Sequence, residues 1–356
     1  MAGRVLLAQT SFLGDVVLST ALARAISQAR PDAEIWWLVR PGAVPLLTPT
    51  FGVERVIAFD KRGADRGLGG IWGLGGRLGE IGFDAALGVQ RSVRTAALLA
   101  RARIPLRVGY AGSPGAWLYH RRVAKQGRHA RDRLVALAAG LGVALPPSLP
   151  GPHLDVDRAA AVRVAEHLSA QAVGAEDDLI VIAPGSAWAT KQWPAERFGE
   201  AAASLLRPDQ DRVVVIGTSA DAPLAGRISS VLAAMGAPPA IDATGSASIA
   251  DAVAWIDRAR LVLANDSAPA HVAAARGRPV VSLFGPTVPA QGFAPLGDRV
   301  RIVQRELACR PCSRHGGTRC PIGTHECLAD LPASEVVAAA APLLDRAPVA
   351  RGADAS

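Results

Sequence analysis

Short apolar runs alternate with helix-patterned stretches along this chain, and the whole alternation occurs twice. In the first half the spacing predicts strands at 4–9, 34–39, 53–59, 84–89 and 106–110, and helices at 16–29, 92–103 and 130–142. In the second half it predicts strands at 179–183, 212–216, 260–264, 279–283 and 299–303, and helices at 194–206, 220–234, 248–257, 267–276 and 333–345. Apolar runs separated by helical patterns call for βαβ units and parallel sheets, and Gly and Pro punctuate the joins. A chain of 356 residues, half of them hydrophobic, can bury two cores of ordinary size. The expected architecture is therefore α/β: two doubly wound parallel-sheet domains facing across a cleft. The Pro-rich stretch 146–152 reads as the approach to the linker. The glycine-rich segment Gly67–Gly76 does not join a strand to a helix in the dinucleotide manner and reads as a mobile loop.

Charge narrows the partners. Residues 1–150 hold 20 Lys/Arg against 9 Asp/Glu, a balance of +11, and the remainder carries −3, which together give the net +8. A basic N-terminal half points to an anionic partner: a phosphorylated glycan, a membrane surface or nucleic acid. Of the 39 basic side chains only Lys61, Lys125 and Lys191 are lysines. Arg suits bidentate contacts to phosphate and carboxylate, although a GC-rich coding sequence would produce the same bias. Aromatic content of 4% and the lack of a nucleic-acid motif argue against a basic nucleic-acid-binding module. The uncharged stretch Val135–Leu154 carries four prolines and cannot span a bilayer. The start of the chain lacks a signal-peptide pattern, so a cytoplasmic protein is expected.

Three turns carry chemistry. Asp15, in Ser11-Phe12-Leu13-Gly14-Asp15, follows the first strand and opens the first helix. Ligands bind at the carboxyl ends of strands in open α/β sheets, and a carboxylate near a helix N-terminus is held in its charged form. Such an Asp can accept a proton; it can equally be a helix cap. The second turn is Pro184-Gly185-Ser186-Ala187-Trp188-Ala189-Thr190-Lys191-Gln192-Trp193-Pro194. It offers hydroxyls, backbone N–H groups and one Lys where a diphosphate could sit. Asp221, past a later strand, has the placement of a ribose-binding acid, or of another cap. The third turn, Asn265-Asp266-Ser267-Ala268, opens a helix whose first N–H groups reach the same region, with His271 on the face of Ser267. Two Asp-x-Asp matches, 155–157 and 209–211, fall at linker or loop positions and read as accidental.

Taken together these three motifs, in this order and spacing, resemble the heptosyltransferases of glycosyltransferase family 9, over roughly residues 3–345. The resemblance is nearest the lipopolysaccharide heptosyltransferase II branch, which the Arg107-Val108-Gly109-Tyr110 strand and the cysteine-bearing tail also match. It implies a GT-B fold of two Rossmann-like domains: 1–165 for the acceptor, 166–332 for the ADP-sugar donor, and 333–356 as a closing helix and tail that packs back toward the first domain. It implies inverting transfer of L-glycero-D-manno-heptose from ADP-heptose to the phosphorylated or Kdo-bearing lipid A core, with no cofactor and no catalytic metal. Asp15 matches the catalytic base, with Lys191 stabilising the leaving group. Ser186, Lys191, Asp221, Asp266, Ser267, Ala268 and His271 match the donor site, and Ser11, Gly14, Arg91 and Arg94 would meet the acceptor. Ala268 and Ala187 depart from the family, which often has Gly and a hydroxyl there. The protein would work as a monomer, peripherally, at the anionic inner face of the inner membrane, without nucleic acid. The alternatives are a different acceptor, or a sugar-nucleotide enzyme such as an epimerase, which the Gly14-Asp15 turn disfavours.

All four cysteines are local: Cys309, Cys312, Cys320 and Cys327. Cys-x2-Cys followed by two more thiols is a plausible zinc spacing, though the later gaps are not those of a standard ribbon. Reduced thiols or a disulfide fit the pattern too. Any metal there is expected to be structural, in a loop that braces the hinge without touching the chemistry.

Overall fold

In the computed structural model, which describes residues 3–50, 52–207, 210–245 and 248–345, the chain forms two compact units, Met1–Asp155 and Val156–Ser356. The first contains β1 (Arg4–Ala8), α1 (Leu13–Ala29), β2 (Glu34–Val39), α2 (Val44–Leu47), β3 (Arg55–Ala58), α3 (Gly67–Ile81), β4 (Ala85–Gly88), α4 (Val93–Arg101), β5 (Leu106–Tyr110), β6 (Arg121–Val123) and α5 (Ala130–Ala136). The second contains α6 (Arg158–Ala170), β7 (Asp178–Ala183), α7 (Ala195–Leu205), β8 (Asp211–Gly217), α8 (Ala222–Ala234), β9 (Ile241–Thr244), α9 (Ile249–Asp257), β10 (Ala259–Asn265), α10 (Ala268–Ala275), β11 (Val280–Phe284), β12 (Val300–Gln304), α11 (Glu326–Ala329) and α12 (Ala333–Leu344).

Each unit is built on one six-stranded sheet, in the orders β3-β2-β1-β4-β5-β6 and β12-β11-β10-β7-β8-β9. All strand pairs are parallel. Counted from its own first strand, each sheet has the order 3-2-1-4-5-6, the doubly wound Rossmann arrangement. The cause is visible in the strands. Leu6, Leu7 and Ala8, or Leu261 to Ala264, are buried on both faces, as strands with helices above and below must be. The order reverses between β1 and β4, and between β10 and β7. At those two points neighbouring connections leave the sheet in opposite directions and open a crevice at the strands' carboxyl ends.

The structure corrects several expectations. The segment 67–76 is helical, as the first part of α3. Seven of its fifteen residues are glycine, a composition that disfavours a helix. Leu74 and Leu78 anchor it in the core beside Leu98 and Leu99 of α4. Close approach to α4 makes glycine necessary on that side: a Cβ at Gly75 would lie 2.6 Å from Arg101 Cγ, and one at Gly79 3.1 Å from Ala102 O. Helix α6, unforeseen in the linker region, is capped by Asp157, whose side chain accepts from Ala160 N at 2.8 Å. One Asp-x-Asp match thus ends on a helix cap. Asp209 of the other lies outside the described residues, and its Asp211 is a buried ion-pair partner of Arg207 and Arg260. Burial pushes the Asp211 carboxyl up, but the hydrogen bonds from Arg207 and Arg260 outweigh it and hold the group below its ordinary value. The helix predicted over 130–142 is α-helical only to Ala136 and then tightens into a 3-10 turn, Leu137–Leu141. Helix α12 buries Val336, Ala340 and Leu343 in the second unit's core beside α7.

Candidate active site

In the first unit, α1 begins at Leu13 with Phe12 as its N-cap, so Asp15 lies inside the first helical turn. Asp15 is therefore not the N-cap residue itself but stands at the third helical position. Its carboxylate is partly exposed at the positive end of the helix dipole. Gly14 precedes it in the same turn. Next to this turn, the residues just past successive strands converge. Ser11 Oγ donates to Gln90 Oε1 at 2.8 Å. Thr10 Oγ1, buried, accepts from both Lys61 Nζ and Gln90 Nε2. Gln90 Nε2 also reaches Thr95 Oγ1 at 2.8 Å. Burial, with Arg94 and Arg40 nearby, pulls the Lys61 ammonium down to about 8. Arg40 also stands 5.7 Å from the Phe12 ring centroid. The structure therefore brings Ser11 and Arg94 together with three groups not foreseen, Lys61, Arg40 and Gln90. Arg91 is exposed and turned toward Gly112 O, its hydrogen-bond partner. The missed residues share one signal: each lies within three positions after a strand.

In the second unit, the loop after β7 and the turn after β10 meet at the switch point. Lys191 Nζ sits 2.5 Å from Asp266 Oδ2 and 3.3 Å from Asp266 O. Both side chains are about nine-tenths buried, at 12% and 10% exposure. Thr287 Oγ1, past β11, donates to the same Asp266 oxygen at 2.6 Å. An ammonium has three donors, so Lys191 can keep both bonds to Asp266 and still offer its third hydrogen to an oxyanion. Asn265, fully buried, pins the two segments: its Nδ2 donates to Pro184 O at 2.7 Å and its Oδ1 accepts from Trp193 N at 3.0 Å. Ser267 is the N-cap of α10, its hydroxyl donating to Asn265 O at 3.3 Å. Ala268 is the first helical residue, and His271 is buried on the second turn.

Ser186 Oγ accepts from Trp188 N at 3.3 Å, and its carbonyl accepts from Gln192 Nε2 at 3.2 Å. Asp221 closes a capping box with Thr218: its Oδ2 accepts from Thr218 N and Oγ1, both at 2.8 Å. The cap reading of Asp221 thus holds, yet its carboxylate also lies against Gly185 of the loop after β7. A Cβ there would come 2.5 Å from Asp221 Oδ1, so only glycine lets the loop approach.

The cysteine loop packs against the segment that carries Lys191. Thr190, next to Lys191, is gripped by it: Thr190 Oγ1 donates to Gly317 O at 3.0 Å and accepts from Gly317 N at 2.8 Å. Thr190 N donates to the same carbonyl at 3.1 Å, and His325 Nε2 lies 2.8 Å from Thr190 O. Gly316, at φ +98°, packs on Trp188 and Lys191, and a Cβ there would lie 2.8 Å from Trp188 Cβ. Thr190, Cys312, Cys320, His325 and Cys327 line one small cavity of about 140 Å³. All four thiols are free. Backbone N–H groups, first that of His325, draw the Cys320 thiol down, whereas burial pushes those of Cys312 and Cys327 up. Among the described residues no three His, Cys, Asp or Glu side chains are gathered closely enough to hold a metal.

Comparison with known proteins agrees with this geometry. The family model for glycosyltransferase family 9 (heptosyltransferase) matches residues 71–320. Lipopolysaccharide heptosyltransferase 2 of Salmonella typhimurium is 28% identical over 343 residues, covering 94% of this chain and 96% of its own. Lipopolysaccharide heptosyltransferase 1 of Pseudomonas aeruginosa is 28% identical over 345 residues, covering 92% and 91%. The solved structure of ADP-heptose lipopolysaccharide heptosyltransferase II from Escherichia coli superposes with a TM-score of 0.78 at 24% identity, over 96% of this chain and 98% of that one. That likeness shows the GT-B fold. With two doubly wound sheets, each bearing polar groups at its switch point, and a family match over more than two thirds of its length, this chain is a member of glycosyltransferase family 9, the heptosyltransferases.

Proposed function

We propose that the protein transfers L-glycero-D-manno-heptose from ADP-heptose to the lipopolysaccharide inner core with inversion, with Val156–Ser356 as the donor unit and Met1–Asp155 as the acceptor unit. The observation that carries the reading is the buried Lys191–Asp266 pair at the second switch point, braced by Thr287. Negative charge grows on the diphosphate as the glycosidic bond breaks. Lys191, the Ser186 hydroxyl and the N–H groups at Ser267 and Ala268 would meet it, and preorganised donors of this kind lower the barrier. Asp266 carries the wrong sign for phosphate but accepts from sugar hydroxyls, and His271 of α10 would join it in holding the sugar. Asp221 has one carboxylate oxygen committed to its cap and the other beside Gly185, toward a ribose. Asp15 removes the proton from the attacking hydroxyl, because an unassisted sugar hydroxyl is a poor nucleophile at neutral pH.

The Lys61, Arg94 and Arg40 cluster, with Ser11, Gly14 and Arg91, gives the acceptor unit an anion-binding floor suited to a phosphorylated or Kdo-bearing core. The enzyme works as a monomer at the inner face of the inner membrane. No described helix is long and apolar enough to cross a membrane, and the name of the Salmonella relative places that protein's activity on lipopolysaccharide. The test is transfer from ADP-heptose, against UDP- and GDP-sugars, to purified cores that end in Kdo or in a first heptose. Calorimetric ADP titration of Lys191→Ala accompanies it. Transfer from ADP-heptose alone, with weakened ADP binding in the variant, is expected. Preference for another nucleotide sugar, or parental ADP binding in the variant, overturns the reading.

A further inference from the structure

Helix α3 has an outer face unlike that of a helix facing water. From Gly67 to Gly76 it contains no polar side chain at all. Its inner face is satisfied by Leu74 and Leu78, so Leu68 and Trp72, four residues apart and on one side, are left outside at 84% and 67% exposure. Together with Trp117 they are the most exposed large apolar side chains among the described residues, and all three belong to the first unit. A solvent-facing helix carries charged or polar residues on its outer side. Here charge stands only at the ends. Arg62 and Arg66 precede the helix and are exposed, and Arg77 follows the apolar stretch. Of the acidic groups nearby, Asp60 and Asp65 are occupied, and Glu80 is exposed at the far end of the helix. Asp60 Oδ1 accepts from the backbone N–H of Arg62 and Gly63, and Asp65 takes Arg77 and the N–H of Asp60. Arg101 stacks over Trp72 at 4.3 Å and adds a further cation beside the apolar patch.

We propose that this face of α3 docks the protein on an anionic lipid surface, Leu68 and Trp72 entering the headgroup boundary and Arg62 and Arg66 meeting lipid phosphates. An apolar stripe flanked by Arg, with Trp at the boundary, is the physical pattern of an interfacial helix. The charge complementarity is general as well as local, since the first 150 residues carry +11. The inference rests on the proposed lipid-linked acceptor for its purpose, because docking would hold the acceptor unit where such an acceptor is anchored. Its test does not depend on that acceptor.

The experiment is co-sedimentation of the full chain with phosphatidylcholine vesicles and with vesicles containing phosphatidylglycerol, across a salt series. Parent protein should bind the anionic vesicles and lose affinity as salt rises. Leu68→Gln/Trp72→Gln should bind about tenfold less or weaker still at every salt concentration. Arg62→Gln/Arg66→Gln should lose the preference for anionic lipid. Leu68→Gln alone, which removes no contact to Arg101, guards against a folding defect. Neither set should alter transfer to a deacylated, soluble core, and failure of transfer in the parent itself would fault the proposed function and leave the vesicle result standing. Equal vesicle binding by parent and Leu68→Gln/Trp72→Gln overturns the inference. So does a parent that self-associates where that variant is monomeric, since a second copy would then cover the face.

Discussion

Replacing Asn265 with Ala tests the scaffold of the proposed donor site at its tightest point. Asn265 has no exposed surface, and its amide serves two backbone groups, Pro184 O at 2.7 Å and Trp193 N at 3.0 Å. Ala satisfies neither, and no solvent reaches the position. Each buried backbone group left unpaired costs about 1–3 kcal/mol, and relief from burying the amide offsets part of the sum. The expected loss is about 2–4 kcal/mol in the second unit. For a unit of this size each kcal/mol moves the midpoint by about 2–4 °C, so its melting transition should fall by about 5–15 °C while that of the first unit stays in place. Calorimetry resolves the two. Asn265→Asp sharpens the test. Its carboxylate still accepts from Trp193 N but sets a second oxygen against Pro184 O in a site without water. Protonated, it can donate to that carbonyl. The folded state therefore holds the proton more tightly than the unfolded one, so this variant should gain stability as pH falls toward the ordinary Asp range. A shift below about 2 °C for Asn265→Ala, or a pH-independent Asn265→Asp, would refute the argument.

Asp15→Ala should lower turnover by about 10²-fold or more while ADP affinity stays within a few-fold; near-parental turnover would remove Asp15 from the base role. Thr190→Val, which keeps the shape but cuts both side-chain bonds to Gly317, should weaken ADP binding, and Thr190→Ser should restore it. Because Thr190 acts through Lys191, the loss should vanish in a Lys191→Ala background, and a loss that persists there points to a general structural defect. Lys61, drawn down to about 8 by burial and by Arg94 and Arg40, should be charged below that pH and hold an anionic acceptor there. Acceptor KM should then rise as pH passes 8, with kcat following a separate profile, and Lys61→Arg should flatten the rise. The stability sign is the reverse: between about 8 and the ordinary lysine value near 10.5 the unfolded chain binds the extra proton, so folding is favoured as pH rises through that window. Chelator should leave transfer intact, and activity lost in chelator and restored by metal would contradict the proposed metal-independent chemistry.

Much of the fold was legible because parallel strands buried on both faces write themselves as apolar runs. Leu179–Ala183 and Leu261–Ala264 could hardly be anything else. Helix α3 was not legible, since glycine removes the propensity signal and the outer face lacks the polar residues that mark helical periodicity. Helix α6 left a trace that could have been read: Asp157 as cap, then Ala160, Val164 and Leu168, buried at spacings of four. The three motif turns stood out because each is continuous in sequence and follows a strand. Lys61, Arg40 and Gln90 did not, because each follows a different strand and only sheet order brings them beside Thr10 and Ser11. The grip of Gly317 on Thr190 spans 127 positions, and a bond of that kind leaves no local mark on either segment.

The two sheets also differ in when they can be completed during synthesis. Every strand and helix of the first unit lies within its first 155 residues, so that unit can close while the ribosome is still extending the chain. The second cannot, because its core is sealed by Leu331, Val336, Ala340 and Leu343 at the far end, and Trp193 Nε1 waits for the carbonyl of Leu331 at 3.0 Å. At elongation rates of about 5–20 residues per second the roughly 200 residues between take about 10–40 s. For that interval the emerging first unit would be whole, and the apolar strands β7, β8 and β10 of the second would stand without their last cover. A chaperone that engages this protein on the ribosome should therefore meet it on the second unit's strands, and truncation before α12 should send that unit, and not the first, into aggregates.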